Sequence, residues 1–329
     1  MIISKIKKFF SKIFKINKTK RVVLPKDFNS YERMYKYIDT AYGKIGYIEV
    51  GEGENNVLFL HGMTEDSLNW FYTIEYINIR SKNFKLIAID LPGFGKSSVI
   101  GDISIPNYAL AVKEFLSLKN IEKTTIVGHS LGGQVAVIFA NYFKDMVDSI
   151  ILVATAGMKR FDSITTRLLK SLPIPGAVLH RISLIDLYKF ILSNDRLLNS
   201  NEYFRKLLYE IGMTQKNKLT DIIINRNFKY FKEHGINRVN IVKKSIEAML
   251  DERYYINDKF KDLKMPIFLI WGEKDYLVPE RYGREILNLI NHESKELFIL
   301  KNTGHYPMIE RPKDFTAIIF KILTKVYNI

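Results

Sequence analysis

Cysteine is absent from the 329 residues. That excludes disulfide staples, thiolate nucleophiles and Cys-based zinc sites. Long apolar runs are absent too: none approaches the ~20 residues that a membrane-spanning helix needs. There is no internal repeat, no low-complexity tract, no zinc-finger spacing and no aromatic-basic recognition signature, which argues against a nucleic-acid partner. Acidic residues are missing from residues 1–21, which hold eight Lys/Arg and no Asp or Glu. What remains is a chain with 47% hydrophobic residues, long enough for one large α/β domain or two medium ones.

The net charge of +15 is unevenly spread. Residues 1–21 carry +8, and residues 158–262, with twenty Lys/Arg against twelve Asp/Glu, carry another +8, so the rest of the chain is near neutral. Residues 1–21 make no signal peptide, because lysines interrupt each apolar run and no small-residue cleavage site follows. As a helix they are amphipathic: Ile2, Ile6, Phe9, Ile13 and Ile16 recur at steps of four and three, while Lys5, Lys8, Lys12 and Lys15 fall on another face. The segment reads as a peripheral contact with an anionic membrane, the alternatives being a solvated basic tail or a helix packed on the body. The location expected is cytoplasmic, at the inner membrane face.

From residue 34 onward strands and helices alternate. "YKYIDT" and "KIGYIEVGEG" read as a β-hairpin with Gly43 near its turn. Short apolar runs follow, "NVLFLHG", "KLIAIDLPG", "TTIVGHS" and "SIILVATAG", separated by helix-length segments such as 68–80 and 107–119. Continuous apolar strands alternating with helices imply a mostly parallel sheet covered on both faces. After Gly157 the strand signal stops until "MPIFLIWG", then a helix near 280–291, "KELFILKNTG" and a final helix from Pro312. The organisation expected is a basic segment 1–21, a core in two parts (22–157 and 263–329), and a helical lid, 158–262, inserted after the sixth strand.

One turn carries the chemistry. In "TTIVGHSLGGQVAVIFA", Gly128-His129-Ser130-Leu131-Gly132 fits the G-x-S-x-G nucleophile elbow between an apolar strand and a helix. Such a turn needs small neighbours so that strand and helix can approach; Gly128, Gly132 and Gly133 supply them. A serine hydroxyl needs a base. Of the six histidines, His305 in "LKNTGHYPMIERP" follows the last predicted strand in a Gly-containing loop, at the sheet edge where ligands bind in such folds. Asp275 in "WGEKDYLVP" lies just past the preceding strand and can orient that imidazole, with Glu273 as a nearby competitor. Two backbone donors for a developing oxyanion are expected from Leu131, after the nucleophile, and Met63, after the strand "NVLFLHGM", with Gly62 giving room. His61 reads as a structural hydrogen-bonding residue.

Two decoys fail on spacing. "GFGKSS" resembles the end of a phosphate-binding loop, but the required first glycine falls on Asp90. "HESKE" at 292–296 ends in Glu296 where a zinc motif needs histidine. No metal and no cofactor is expected.

Together "LFLHGM", "AIDLPGFGKS", "VGHSLGGQVA", "WGEKDYLVP" and "TGHYPMIERP" resemble the α/β-hydrolase fold superfamily over residues 34–329. The chain order Ser130, Asp275, His305 is the one that family uses. "GGQVA", "LVATAGM" and "NEYFRKLLYEI" are similar to monoacylglycerol-lipase-like serine hydrolases. The resemblance implies an α/β-hydrolase fold, a mostly parallel central sheet flanked by helices, with the insertion as a lid. It also implies hydrolysis of carboxylic esters, acylglycerols among them, on a small-molecule ester or lipid substrate. An acyltransferase would use the same triad, and a ligand-binding protein the same scaffold; the intact triad positions disfavour the latter.

Overall fold

The computed structural model of the chain describes residues 33–159, 212–215, 221–226, 240–242 and 244–329. The amphipathic segment 1–21 and most of the expected lid, including the aromatics Tyr203, Phe204, Phe228, Tyr230 and Phe231, lie outside the described residues.

Among the described residues eight strands form one sheet: β1 (Lys36–Thr40), β2 (Gly43–Val50), β3 (Asn55–Leu60), β4 (Phe84–Ile89), β5 (Thr124–His129), β6 (Val147–Val153), β7 (Ile267–Gly272) and β8 (Lys295–Leu300). Their order is β1-β2-β4-β3-β5-β6-β7-β8. The hairpin pairs Thr40 with Gly43, and β2 pairs antiparallel with β4; every later pairing is parallel. The parallel strands are apolar along nearly their whole length because both faces are covered. In β5 and β7 all six residues are buried.

The side-chain alternation of the strands divides the core into two layers. Leu58, Ile126, Leu152 and Leu269 face helices α2 (Ile105–Leu118), α3 (Leu131–Tyr142) and α4 (Arg281–Leu289). Phe59, Val127, Ile151 and Phe268 face α1 (Phe71–Arg80) and the C-terminal helix α5 (Pro312–Tyr327). Burying a side chain such as Phe59 or Phe139 contributes roughly 1.5–3 kcal/mol, so the two layers hold most of the stability.

Caps adjust the helix boundaries read from the sequence. The expected helix 107–119 starts at Ile105, because Ser104 Oγ accepts the Asn107 N–H at 3.2 Å and Pro106 suits a first turn. The expected helix 68–80 divides into a 3₁₀ turn, Ser67–Trp70, and α1. There Asp66 Oδ1 accepts the Leu68 N–H at 2.9 Å and caps the tight turn.

Between β6 and β7, the described pieces are docked on the core. Ile256, Phe260 and Leu263 are buried in the α2–α3–α4 layer. Arg226 reaches back to the Asp66 carboxylate as a buried ion pair.

Candidate active site

The loops that follow β3, β5, β7 and β8 leave the sheet at its carboxyl edge, where open α/β sheets bind ligands. Each expected site residue sits on one of them: Met63 after β3, Ser130 and Leu131 after β5, Asp275 after β7 and His305 after β8.

Ser130 has φ 49° and ψ −113°, a conformation that costs a non-glycine residue about 1–3 kcal/mol. Four backbone bonds hold it there. Its N–H donates to Val153 O at 3.0 Å, and its carbonyl accepts from Gly133 (3.1 Å), Gln134 (3.3 Å) and Ala156 (3.0 Å). The turn leaves the serine half-buried at the start of α3. Gly132 is required by contact: a Cβ there would lie 2.4 Å from Leu60 O and 2.6 Å from His61 O. Leu131 opens α3, so its N–H is among the first-turn amides that lack an intrahelical acceptor. Across the cleft edge, Glu65 N–H donates to Gly62 O at 3.3 Å, closing a turn with Thr64 at φ 66° and Met63 half-buried within it.

His305 and Asp275 are brought together. Nδ1 of the imidazole donates to Asp275 Oδ2 at 2.7 Å, and both residues are buried. The other carboxylate oxygen, Oδ1, accepts the N–H groups of Leu277 (2.9 Å) and Val278 (2.8 Å), which fixes the carboxylate plane. Glu273 is exposed and turns away, accepting the Asn302 N–H at 2.9 Å.

The His305 loop is built around a second carboxylate. Glu310 is buried and accepts from the backbone N–H groups of Gly304 (3.0 Å), Tyr306 (3.2 Å), Thr214 (2.8 Å) and Gln215 (2.8 Å). Burial pushes it up to about 7, against the pull of those four donors. His305 N–H itself donates to Gly212 O at 2.6 Å, so residues 212–215 are stitched to this loop twice over.

His129, adjacent to Ser130, points inward. Its Nε2–H donates to His305 O at 2.8 Å, and its Nδ1 lies 2.8 Å from Glu65 Oε1. Burial would lower the His129 pKa, but the Glu65 carboxylate outweighs it and holds the ring above its ordinary value. Burial likewise would raise Glu65, and the His129 charge holds it below its usual range. His61 is structural: its Nδ1–H donates to Gly62 O at 2.7 Å and its Nε2 accepts the Leu91 N–H at 2.9 Å. Asp90, at the position where a phosphate-binding loop needs glycine, instead accepts the N–H groups of Ser67 (2.7 Å) and Lys96 (2.6 Å). His292 accepts the Ser294 N–H, whereas His180 and His234 lie outside the described residues.

Sequence reasoning missed Glu65 and Glu310. Glu310 ends the apolar run "HYPMIE", and Glu65 precedes Asp66 in "HGMTED", just past a buried strand. An acid in an otherwise buried run is the one signal that could have marked them.

Residues 55–312 match the family model described as alpha/beta hydrolase fold. The chain belongs to that family. Among α/β-hydrolase relatives, it is 27% identical over 280 residues to monoacylglycerol lipase ABHD6 of Homo sapiens, covering 83% of this chain and 76% of that one. It is 25% identical over 288 residues to 2-hydroxy-6-oxononadienedioate/2-hydroxy-6-oxononatrienedioate hydrolase of Escherichia coli, covering 86% of this chain and 91% of that one. The solved structure of a bacterial membrane phospholipase A shares the α/β-hydrolase architecture at a TM-score of 0.71 and 21% identity, covering 90% of this chain and 87% of that one. Among the described residues no helix is long and apolar enough to cross a membrane.

Proposed function

We propose that the protein is a serine hydrolase that cleaves carboxylic esters, with Ser130 as nucleophile, His305 as general base and acid, and Asp275 as the group that orients His305. The observation that carries the reading is the His305–Asp275 hydrogen bond of 2.7 Å, on the same sheet edge as a serine held at φ 49°. Asp275 fixes the tautomer that carries its proton on Nδ1, leaving the Nε2 lone pair to take the serine proton. Ser130 Oγ attacks the ester carbonyl, and the backbone N–H groups of Met63 and Leu131 receive the oxyanion. His305 then protonates the departing alcohol, and water repeats the sequence on the acyl-enzyme.

A lipid or other small ester as substrate is supported by the likeness to monoacylglycerol lipase ABHD6. Residues 158–262 act as the lid, and the two-fold stitching of residues 212–215 to the His305 loop supports a role beside the site. The Ile/Lys segregation along residues 1–21 supports peripheral contact with an anionic membrane from the cytoplasmic side. The likeness to the Escherichia coli 2-hydroxy-6-oxononadienedioate/2-hydroxy-6-oxononatrienedioate hydrolase favours a second reading, hydrolysis of a 2-hydroxy-6-oxo dienoic acid on the same triad.

Turnover of p-nitrophenyl esters and monoacylglycerols of graded chain length, set against a 2-hydroxy-6-oxo dienoate, separates the two. Ester turnover that disappears in Ser130→Ala supports esterase chemistry. Turnover of the dienoate alone overturns it.

A further inference from the structure

The Glu65–His129 pair touches all three loops on which the proposed chemistry depends. Both side chains are fully or almost fully buried, and neither holds a place in the triad. His129 Nε2–H donates to the carbonyl of His305 at 2.8 Å, on the loop that carries the base. Its Nδ1 lies 2.8 Å from Glu65 Oε1, and its backbone leads directly into Ser130. Glu65 Oε2 accepts the Gly62 N–H at 3.2 Å, on the turn that presents Met63. Both ring nitrogens of His129 thus face acceptors. That arrangement favours the charged ring, with the Glu65 carboxylate at ion-pair distance from Nδ1 to match it.

The fit is tight enough to dictate a neighbouring residue. A Cβ at Gly62 would lie 2.5 Å from Glu65 Oε1 and 2.8 Å from His129 Nδ1. Glycine at 62 therefore makes room for the ion pair as well as for a bend in the backbone. The His129 and His305 rings stand 4.7 Å apart between centroids, so a shift of one is felt by the other.

We infer that Glu65 and His129 are positioning residues: a buried ion pair that ties the base loop, the nucleophile elbow and the oxyanion turn into one rigid unit. The inference rests on the triad and oxyanion reading proposed above. Misplacing a reacting group by about 1 Å costs on the order of 10²-fold in rate. The effect should fall on kcat, since no substrate contact is removed.

The test uses the full-length protein and a p-nitrophenyl ester. Glu65→Ala and His129→Ala should each lower kcat by on the order of 10²-fold with KM changed less than about threefold. The double variant should be no worse than the weaker single, because the two act as a unit. Glu65→Gln should restore most of the activity: its amide can donate to Nδ1 of a neutral His129 while its carbonyl accepts the Gly62 N–H. A merely structural role would lower thermal stability in all variants without this kcat pattern. Should the alanine variants fail to fold, ¹⁵N-histidine NMR of the wild-type protein decides: one ring must carry slowly exchanging protons on both nitrogens at neutral pH. Wild-type kcat in folded Glu65→Ala, a loss confined to KM, a Glu65→Gln variant as poor as Glu65→Ala, or no doubly protonated ring would each overturn the inference. Fluorophosphonate labelling of Ser130 in parallel separates the two levels. Labelling intact with Glu65→Ala at wild-type kcat refutes only the positioning role, whereas an unreactive Ser130 removes both.

Discussion

Replacing Asp275 with asparagine changes one atom and should remove nearly all activity. The carboxylate is held on both sides: Oδ2 by His305 Nδ1 at 2.7 Å, Oδ1 by the N–H groups of Leu277 and Val278 at 2.9 and 2.8 Å. The two backbone donors decide how an asparagine amide must sit. Turning its NH₂ toward them would forfeit two hydrogen bonds of about 1 kcal/mol each and bury opposed donors. The oxygen therefore stays toward the turn and the NH₂ faces His305. A donor there can be met only by an Nδ1 lone pair that accepts, so the proton moves to Nε2, where the proposed chemistry needs a lone pair to accept from Ser130. The expected loss in kcat is on the order of 10⁴-fold, which corresponds to about 5 kcal/mol of barrier. Steady-state kinetics with a p-nitrophenyl ester measures it, and a thermal melt checks that the fold is intact. Glu273→Gln, at an exposed residue facing Asn302, should retain kcat. A loss below about tenfold in folded Asp275→Asn, or a large loss in Glu273→Gln, would refute the orientation argument.

Gly132→Ala should destabilise the fold by roughly 1–3 kcal/mol, seen as a lowered Tm, because its Cβ meets backbone oxygens at 2.4 and 2.6 Å that cannot swing away; an unchanged Tm would show the elbow to be looser than described. Glu310 bears on pH: its folded value of about 7 lies above the unfolded carboxylate value of about 4.3, so its contribution to stability is full below about pH 4.3 and is lost as pH rises through about 7. The Tm difference between wild type and Glu310→Gln should therefore fall from pH 5 to 7.5, whereas a rise would mean that the four backbone donors outweigh burial. Deleting residues 1–21 should weaken salt-sensitive sedimentation with anionic liposomes, since each basic residue near the surface contributes roughly 1 kcal/mol, while turnover of a soluble ester stays near wild type; undiminished sedimentation would refute the membrane role.

The framework was legible because burial on both faces leaves a plain mark on a strand. "VLFL", "LIAI" and "IILV" could be read as parallel strands because both faces are covered, and the Thr40–Gly43 hairpin because its turn glycine stands out. Ser130, Asp275 and His305 were visible for a different reason: each follows a strand and falls in a loop rich in glycine or polar residues. The start of α2 was displaced by two residues, because capping by Ser104 is decided by side-chain geometry and not by periodicity. Glu65 and Glu310 escaped notice because the partners that bury them from other loops are brought close only by folding, 64 residues away in sequence for His129 and up to 96 for Thr214. His129 could be placed beside the serine, but its burial against Glu65 depends on how the loops after β3 and β5 meet.

The most direct test of the proposed chemistry is covalent capture of the nucleophile. A fluorophosphonate probe should form one stoichiometric adduct, mapped by mass spectrometry to the peptide containing Ser130, and ester turnover should fall in step with labelling. Ser130→Ala, folded by its melting curve, should take up no probe. A wild-type protein that hydrolyses esters without labelling at Ser130, or a Ser130→Ala variant that still labels and turns over, would contradict the assignment.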